Sequence, residues 1–210
     1  MNLTNLKNIT LTQVNLTLNE QLLIDVSCEI KQGKITTLVG ESGSGKSSLL
    51  KIILGHLPFD SGEIIVSGKK LIQKNINKIR EQLAWIPNSD IKFPDIELNT
   101  FVNNLNIKLN LFEYNLEKFK LSKEILNKTF SQISSGEKQR LLVAIAVNFQ
   151  RDIWLADEIT SSLDNENKII VLDYLKKSNK TIFCATHDKD LIDIADEVFQ
   201  IKNKRLINDI

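Results

Sequence analysis

The octapeptide Gly40-Glu41-Ser42-Gly43-Ser44-Gly45-Lys46-Ser47 constrains this chain more than any other stretch of it. It fits the pattern G-x-x-x-x-G-K-[ST]. An apolar, β-rich run from Ile35 to Val39 precedes it. A helical pattern from Lys46 to Gly55 follows, with Leu49, Leu50, Ile53 and Leu54 on one side. Strand, glycine-rich loop and helix in that order build a phosphate site. Glycines let the loop turn backbone N–H groups toward an anion, and the helix start adds a positive dipole end. Lys46 offers a point charge to β/γ oxygens and Ser47 a hydroxyl to Mg²⁺; Ser48 is counted with them. The flanking strand and helix argue against an ordinary glycine-rich turn with a surface lysine. Kinases, GTPases and other ATPases share the motif.

More signals follow in order: Ile86-Pro87-Asn88, Ile133-Ser134-Ser135-Gly136-Glu137, Ile153-Trp154-Leu155-Ala156-Asp157-Glu158, Ser161-Ser162-Leu163-Asp164 and Thr186-His187. Asp157 and Glu158 end a hydrophobic strand, and a carboxylate at the C-terminal edge of a parallel strand faces the ligand crevice. Asp157 is placed to hold Mg²⁺. Glu158 is placed as a general base on an attacking water, a role worth about 10²–10⁴-fold in rate. Alone, the pair is equally a solvated acidic strand end; the upstream loop decides between the two. Ser134, with Glu137 three residues on, reads as a capping box, so this segment is either an ordinary helix start or an anion site.

Standing together, these motifs resemble the nucleotide-binding subunit of an ABC transporter over nearly the whole chain. The resemblance implies an α/β P-loop NTPase of ABC ATPase type. Its core sheet is mainly parallel, with an N-terminal antiparallel β subdomain and a small helical subdomain. One domain over 1–210 is expected, with 1–88 and 131–210 as core and 89–130 as the helical part. The resemblance also implies an ATPase using ATP and Mg²⁺, with Lys46, Glu158 and His187 catalytic and His187 on the γ-phosphate. Ser47, Asp157 and Asn88 are the implied metal set. Gly40 to Ser48 hold the nucleotide. Ser134, Ser135, Gly136 and Glu137, a variant of the L-S-G-G-Q signature, bind ATP held by a second copy of the chain. Asp164 belongs to the loop that links the two sites. The implied dimer is isologous, and its further partners are polytopic membrane permease subunits, met from the cytoplasmic face of the membrane. The stretches Asp157 to Asp164 and Thr186 to Asp190 are similar to ATPases of bacterial iron-export systems, although Ile159 replaces the more usual Pro.

Two positions depart from the family. Asn88 stands where Gln is usual, and its amide reaches more than about 1 Å less far, a displacement that can cost about 10²-fold at a reacting centre. No Phe, Tyr or Trp precedes Phe59, so no aromatic near Thr17 or Leu18 can stack on adenine. Such stacking is worth about 1–3 kcal/mol in single-stranded nucleic-acid complexes, and weak or unselective nucleotide binding is the expectation.

The net charge of +1 in 210 residues speaks against nucleic acid as the main partner. No apolar run approaches the ~20 residues of a membrane span, and Met1 to Asn5 lacks the features of a signal peptide. Cys28 and Cys184 read as buried free thiols. Residues 89–130 contain no glycine and read as helices and loops; elsewhere strands and helices alternate. Phe93, Phe101 and Leu105 either line a docking groove beside Asn88 or form core. Two other functions stay open, a soluble non-transport ABC ATPase and a regulatory module with little turnover.

Overall fold

The computed structural model describes residues 7–208; the reading of Met1 to Asn5 falls outside them. Alternation of buried and exposed residues builds the first layer. β1 (Ile9–Leu18), β2 (Glu20–Ile30), β4 (Ser61–Val66) and the short β5 (Lys69–Lys70) form a sheet of order β2-β1-β4-β5, and every pairing in it is antiparallel. Ile9, Leu11, Val14 and Leu16 of β1 point inward. Register shifts after Leu11 and Thr12 mark bulges, where the sheet bends.

β3 (Ile35–Gly40), β6 (Leu83–Ile86), β7 (Ile153–Asp157), β8 (Thr181–Ala185), β9 (Glu197–Lys202) and β10 (Arg205–Asn208) form the second sheet, of order β10-β9-β3-β8-β7-β6. All its pairings are parallel except β9 with β10. Both faces are covered, as the unbroken apolar runs of its strands require. Successive side chains serve opposite cores. Ile153, Leu155, Phe183 and Ala185 pack toward the first sheet and α1 (Lys46–Ile53), while Trp154, Ala156, Ile182 and Cys184 pack on the other face.

That other face is roofed by helices. α2 (Ile76–Arg80), just before β6, is not part of that roof; its Ile79 packs into the core shared by the first sheet and α1. Then come α3 (Leu98–Asn104), α4 (Leu109–Lys118), 3₁₀ turns at Lys123–Asn127 and Phe130–Gln132, and α5 (Ser135–Asn148). α6 (Asn165–Lys177) and α7 (Lys189–Asp193) complete the set. Phe93, Phe101 and Phe130 interlock, with Phe93 stacked on Phe130 at 4.2 Å between ring centres. Phe93, Phe101 and Leu105, each partly buried, pack against the same core. Cys184 is buried, but Cys28 is only partly so. Burial and the neighbouring Glu197 push the Cys28 thiol up to about 12. Among the described residues no helix is long and apolar enough to cross a membrane.

Candidate nucleotide site

β3, β8, β7 and β6 lie side by side, and each ends at the same edge. The loops leaving that edge carry the sequence motifs. Ser42, Gly43, Gly45, Lys46, Ser47, Ser48, Asn88, Asp157, Glu158 and His187 line one cleft of about 230 Å³. Residues up to 145 positions apart therefore meet where a parallel sheet presents its ligand edge.

The first wall is the turn from β3 into α1. Gly45 caps α1 at φ 106, a conformation open to glycine and little else. A Cβ there would sit 3.0 Å from Leu23 Cδ2, so Leu23 fixes how closely the loop is held. A methyl on Gly40 would meet the Ile201 carbonyl oxygen at 2.8 Å and Ser44 Oγ at 2.9 Å. Lys46 bends back over its loop, and Nζ donates to the carbonyls of Gly40 (2.7 Å) and Glu41 (3.0 Å). Burial lowers its pKa, partly offset by Glu158 and Asp157.

Asp157 and Glu158 form the facing wall. Glu158 has φ 53, uncommon for a residue with a side chain and of a kind that gathers at functional sites. Its backbone is held on both sides. Its N–H donates to the Ala185 carbonyl (2.9 Å), and its carbonyl accepts from the N–H (3.1 Å) and hydroxyl (2.9 Å) of Ser161. The carboxylate accepts from the His187 N–H (3.3 Å), and its other oxygen lies 3.4 Å from His187 Nε2. Burial raises the Glu158 pKa; His187 and Lys46 work against this and Asp157 with it. Glu158 is 18% exposed and His187 57%, so the histidine stands at the mouth.

Asn88 reaches the cleft, but Oδ1 accepts from the Asp90 N–H at 2.7 Å. The shorter amide is spent on a local turn, and a ligand would have to compete for that oxygen.

Ser134, Ser135, Gly136 and Glu137 do not line this cleft; they open α5. The capping box is present: the Glu137 N–H donates to Ser134 Oγ (3.2 Å), and the Ser134 N–H donates back to Glu137 (2.8 Å). The Ser134 N–H and hydroxyl, both donating to it, hold the Glu137 carboxyl below the usual glutamate range. Asp164 also lies outside the cleft. It caps α6, accepting from the backbone and side-chain amides of Asn167 at 2.9 and 2.8 Å.

Sequence reasoning missed a charged support beneath His187. Lys168 on α6 bridges Asp188 (2.9 Å) and Asp190 (3.0 Å). Burial works to raise the Asp188 pKa, but the hydrogen bonds it accepts, including that from Lys168, outweigh this and keep it low. Lys168 lies in no motif, and only the fold brings it to α7. A larger groove, of about 630 Å³, runs along α6 and α7 past Lys168, Ile169 and Ile194. None of the phosphate-site residues lines it.

Fold and cleft together define the class of nucleoside-triphosphate-binding P-loop proteins. The profile described as ABC transporter matches residues 23–161. The chain is 34% identical over 201 residues to the "Energy-coupling factor transporter ATP-binding protein EcfA1" of Streptococcus sanguinis, covering 90% of this chain and 70% of that protein. It is 30% identical over 191 residues to the "Probable iron export ATP-binding protein FetA" of Escherichia coli, covering 87% and 85%. The solved dimeric structure of MJ0796, described as a bacterial ABC transporter cassette, superposes with a TM-score of 0.86 at 25% identity. That match covers 94% of this chain and 96% of that one. The chain belongs to the ABC transporter family and is an ATP-binding ATPase subunit of it.

Proposed function

We propose that this protein converts ATP binding and hydrolysis into closure and release of a two-fold dimer, which drives substrate through separate membrane subunits. The observation that carries this reading is the single cleft in which Lys46, Ser47, Asp157, Glu158 and His187 converge.

The residues fit the ligands assigned to them. A glycine-lined turn that would clash with any added Cβ at Gly40 suits close approach of backbone N–H groups to phosphate. Lys46, now resting on two carbonyls, has a nearby ammonium to give to β/γ oxygens. Ser47, Asp157 and Asn88 form a sparse set of oxygen donors, as Mg²⁺ takes when phosphates complete its shell. Bound Mg²⁺ would neutralise charge on the transferring phosphoryl group. Glu158 accepts the proton of the attacking water. Its raised pKa brings it nearer the working pH, where a general base is most effective. His187, held by the Glu158 carboxylate, donates to the γ-phosphate.

The capped start of α5, Ser134 to Glu137, completes the cleft of the second copy. ATP then acts as a ligand that shifts the population toward the closed dimer. Asp164 sits at that interface. Residues 89–130 form a helical subdomain that relays closure to the permease, with the protein on the inner face of the membrane. Iron export is one narrower reading to test, because the stretches Asp157 to Asp164 and Thr186 to Asp190 resemble such ATPases and one relative carries that name, while another is named for an energy-coupling factor transporter.

Glu158→Gln should bind ATP, lose nearly all turnover and hold the dimer shut. Isolating the tagged variant from membranes with ATP present should recover a polytopic membrane protein; recovery from cytosol alone would refute the transport reading. A deletion strain whose iron sensitivity matches its parent would remove iron as the cargo.

A further inference from the structure

Ser89 follows the Asn88 position directly and is 1% exposed. Its Oγ lies 2.6 Å from Ser162 Oγ, 73 residues away in the loop beyond Glu158. Around this pair three segments close on one another. The Ser89 carbonyl accepts from Lys138 Nζ (3.1 Å) and the Pro87 carbonyl from Gln139 Nε2 (3.4 Å), both on the first turns of α5. Gly136 sits so near Ser162 that an added Cβ would lie 3.0 Å from the Ser162 carbonyl oxygen. The hydroxyl pair thus joins the segment carrying Asn88 to the loop following Glu158, while the start of α5 meets both through their backbone carbonyls.

From this geometry we infer that Ser89 and Ser162 are positioning residues for ATP hydrolysis. Their hydroxyl pair latches the Asn88 segment to the loop after Glu158, and because side chains at the start of α5 bond the Ser89 and Pro87 carbonyls, a movement of any one is felt by the other two. The Asn88 amide is short and already engaged with Asp90, so its place in the cleft depends on where its backbone is held. This inference rests on the roles proposed above for Glu158 and the α5 cap.

The test separates positioning from folding. Ser89 is buried and Ser162 half-buried, so removing the Ser162 hydroxyl leaves a buried partner unsatisfied and costs more than removing that of Ser89, whereas removing both is close to neutral. Ser162→Ala should lower the unfolding midpoint and Ser89→Ala should lower it less, and Ser89→Ala/Ser162→Ala should recover most of the loss. Turnover should behave otherwise. Each single variant, and equally the double, should lose about tenfold in kcat with little change in KM, inside the ~10²-fold that an ångström of misplacement can cost. A double variant whose kcat returns with its stability would show the pair to be structural only and overturn the latch, as would single losses that multiply in the double. Glu158→Gln is assayed alongside. If it is inactive and the serine variants turn over at the parent rate, the latch alone fails. If it turns over at the parent rate, the roles proposed for the cleft fail and the latch with them.

Discussion

Glu158 holds a backbone conformation that few residues with side chains adopt. Its carboxylate is drawn between burial, which raises its pKa, and His187, which lowers it. Burial prevails. The acid limb of the kcat/KM–pH profile, which reports the free enzyme, should therefore lie above the ordinary glutamate range and be missing from the residual turnover of Glu158→Gln. The same limb in both proteins would mean that another group is titrating. Gly62 tests the fold apart from the chemistry. At φ 101, a Cβ on it would fall 2.4 Å from the Gln13 carbonyl oxygen. Gly62→Ala should cost about 1–3 kcal/mol, read from denaturant midpoints. A variant as stable as the parent would show that β1 and β4 yield easily there.

At the scale of elements, the charged support under His187 and the α5 cap make separate claims. Lys168 and Asp188 are both largely buried. Lys168→Met should destabilise by about 1 kcal/mol, because it removes the charged donor to Asp188 and leaves it the Asp190 N–H. Asp188 has its pKa lowered in the folded state. Its stabilising contribution is therefore present at neutral pH and lost as pH falls through that lowered value. The Lys168→Met penalty should shrink over the same acid range, and a penalty constant with pH would count against an ionic origin. Ser134→Ala removes a helix cap worth about 0.5–2 kcal/mol. Stability alone should fall if Ser134 only caps, whereas the proposed role requires ATP-dependent dimerisation to fall as well.

Over the whole molecule, legibility followed locality. Strand β8 is legible, because Thr181 to Ala185, a short apolar run between Lys180 and Thr186, reads only as a strand. The phosphate loop was equally plain, since its glycines and lysine lie together. β10 escaped notice: Arg205–Asn208 is exposed except for partly buried Leu206 and is fixed by pairing with β9. Sequence could raise the Asn88 departure but not its outcome, which depends on the turn bond from Asp90. The contacts of Ser89 with Ser162 and of Lys168 with Asp188 were illegible, for each joins segments that only the fold brings together. No aromatic residue precedes the glycine-rich loop, and the side chains against Gly45 are Leu22 and Leu23, neither of which offers a π face. ATP should bind with little preference over GTP, and a titration showing strong ATP selectivity would reveal a base contact outside this loop.

The central claim is that one copy's cleft is completed by the α5 cap of another. Sedimentation velocity of Glu158→Gln with saturating Mg²⁺ and ATP tests it most directly. The account predicts a dimer with ATP, a monomer with ADP, and loss of the ATP-bound dimer when Ser134→Ala is added. A chain that binds ATP yet stays monomeric would contradict it.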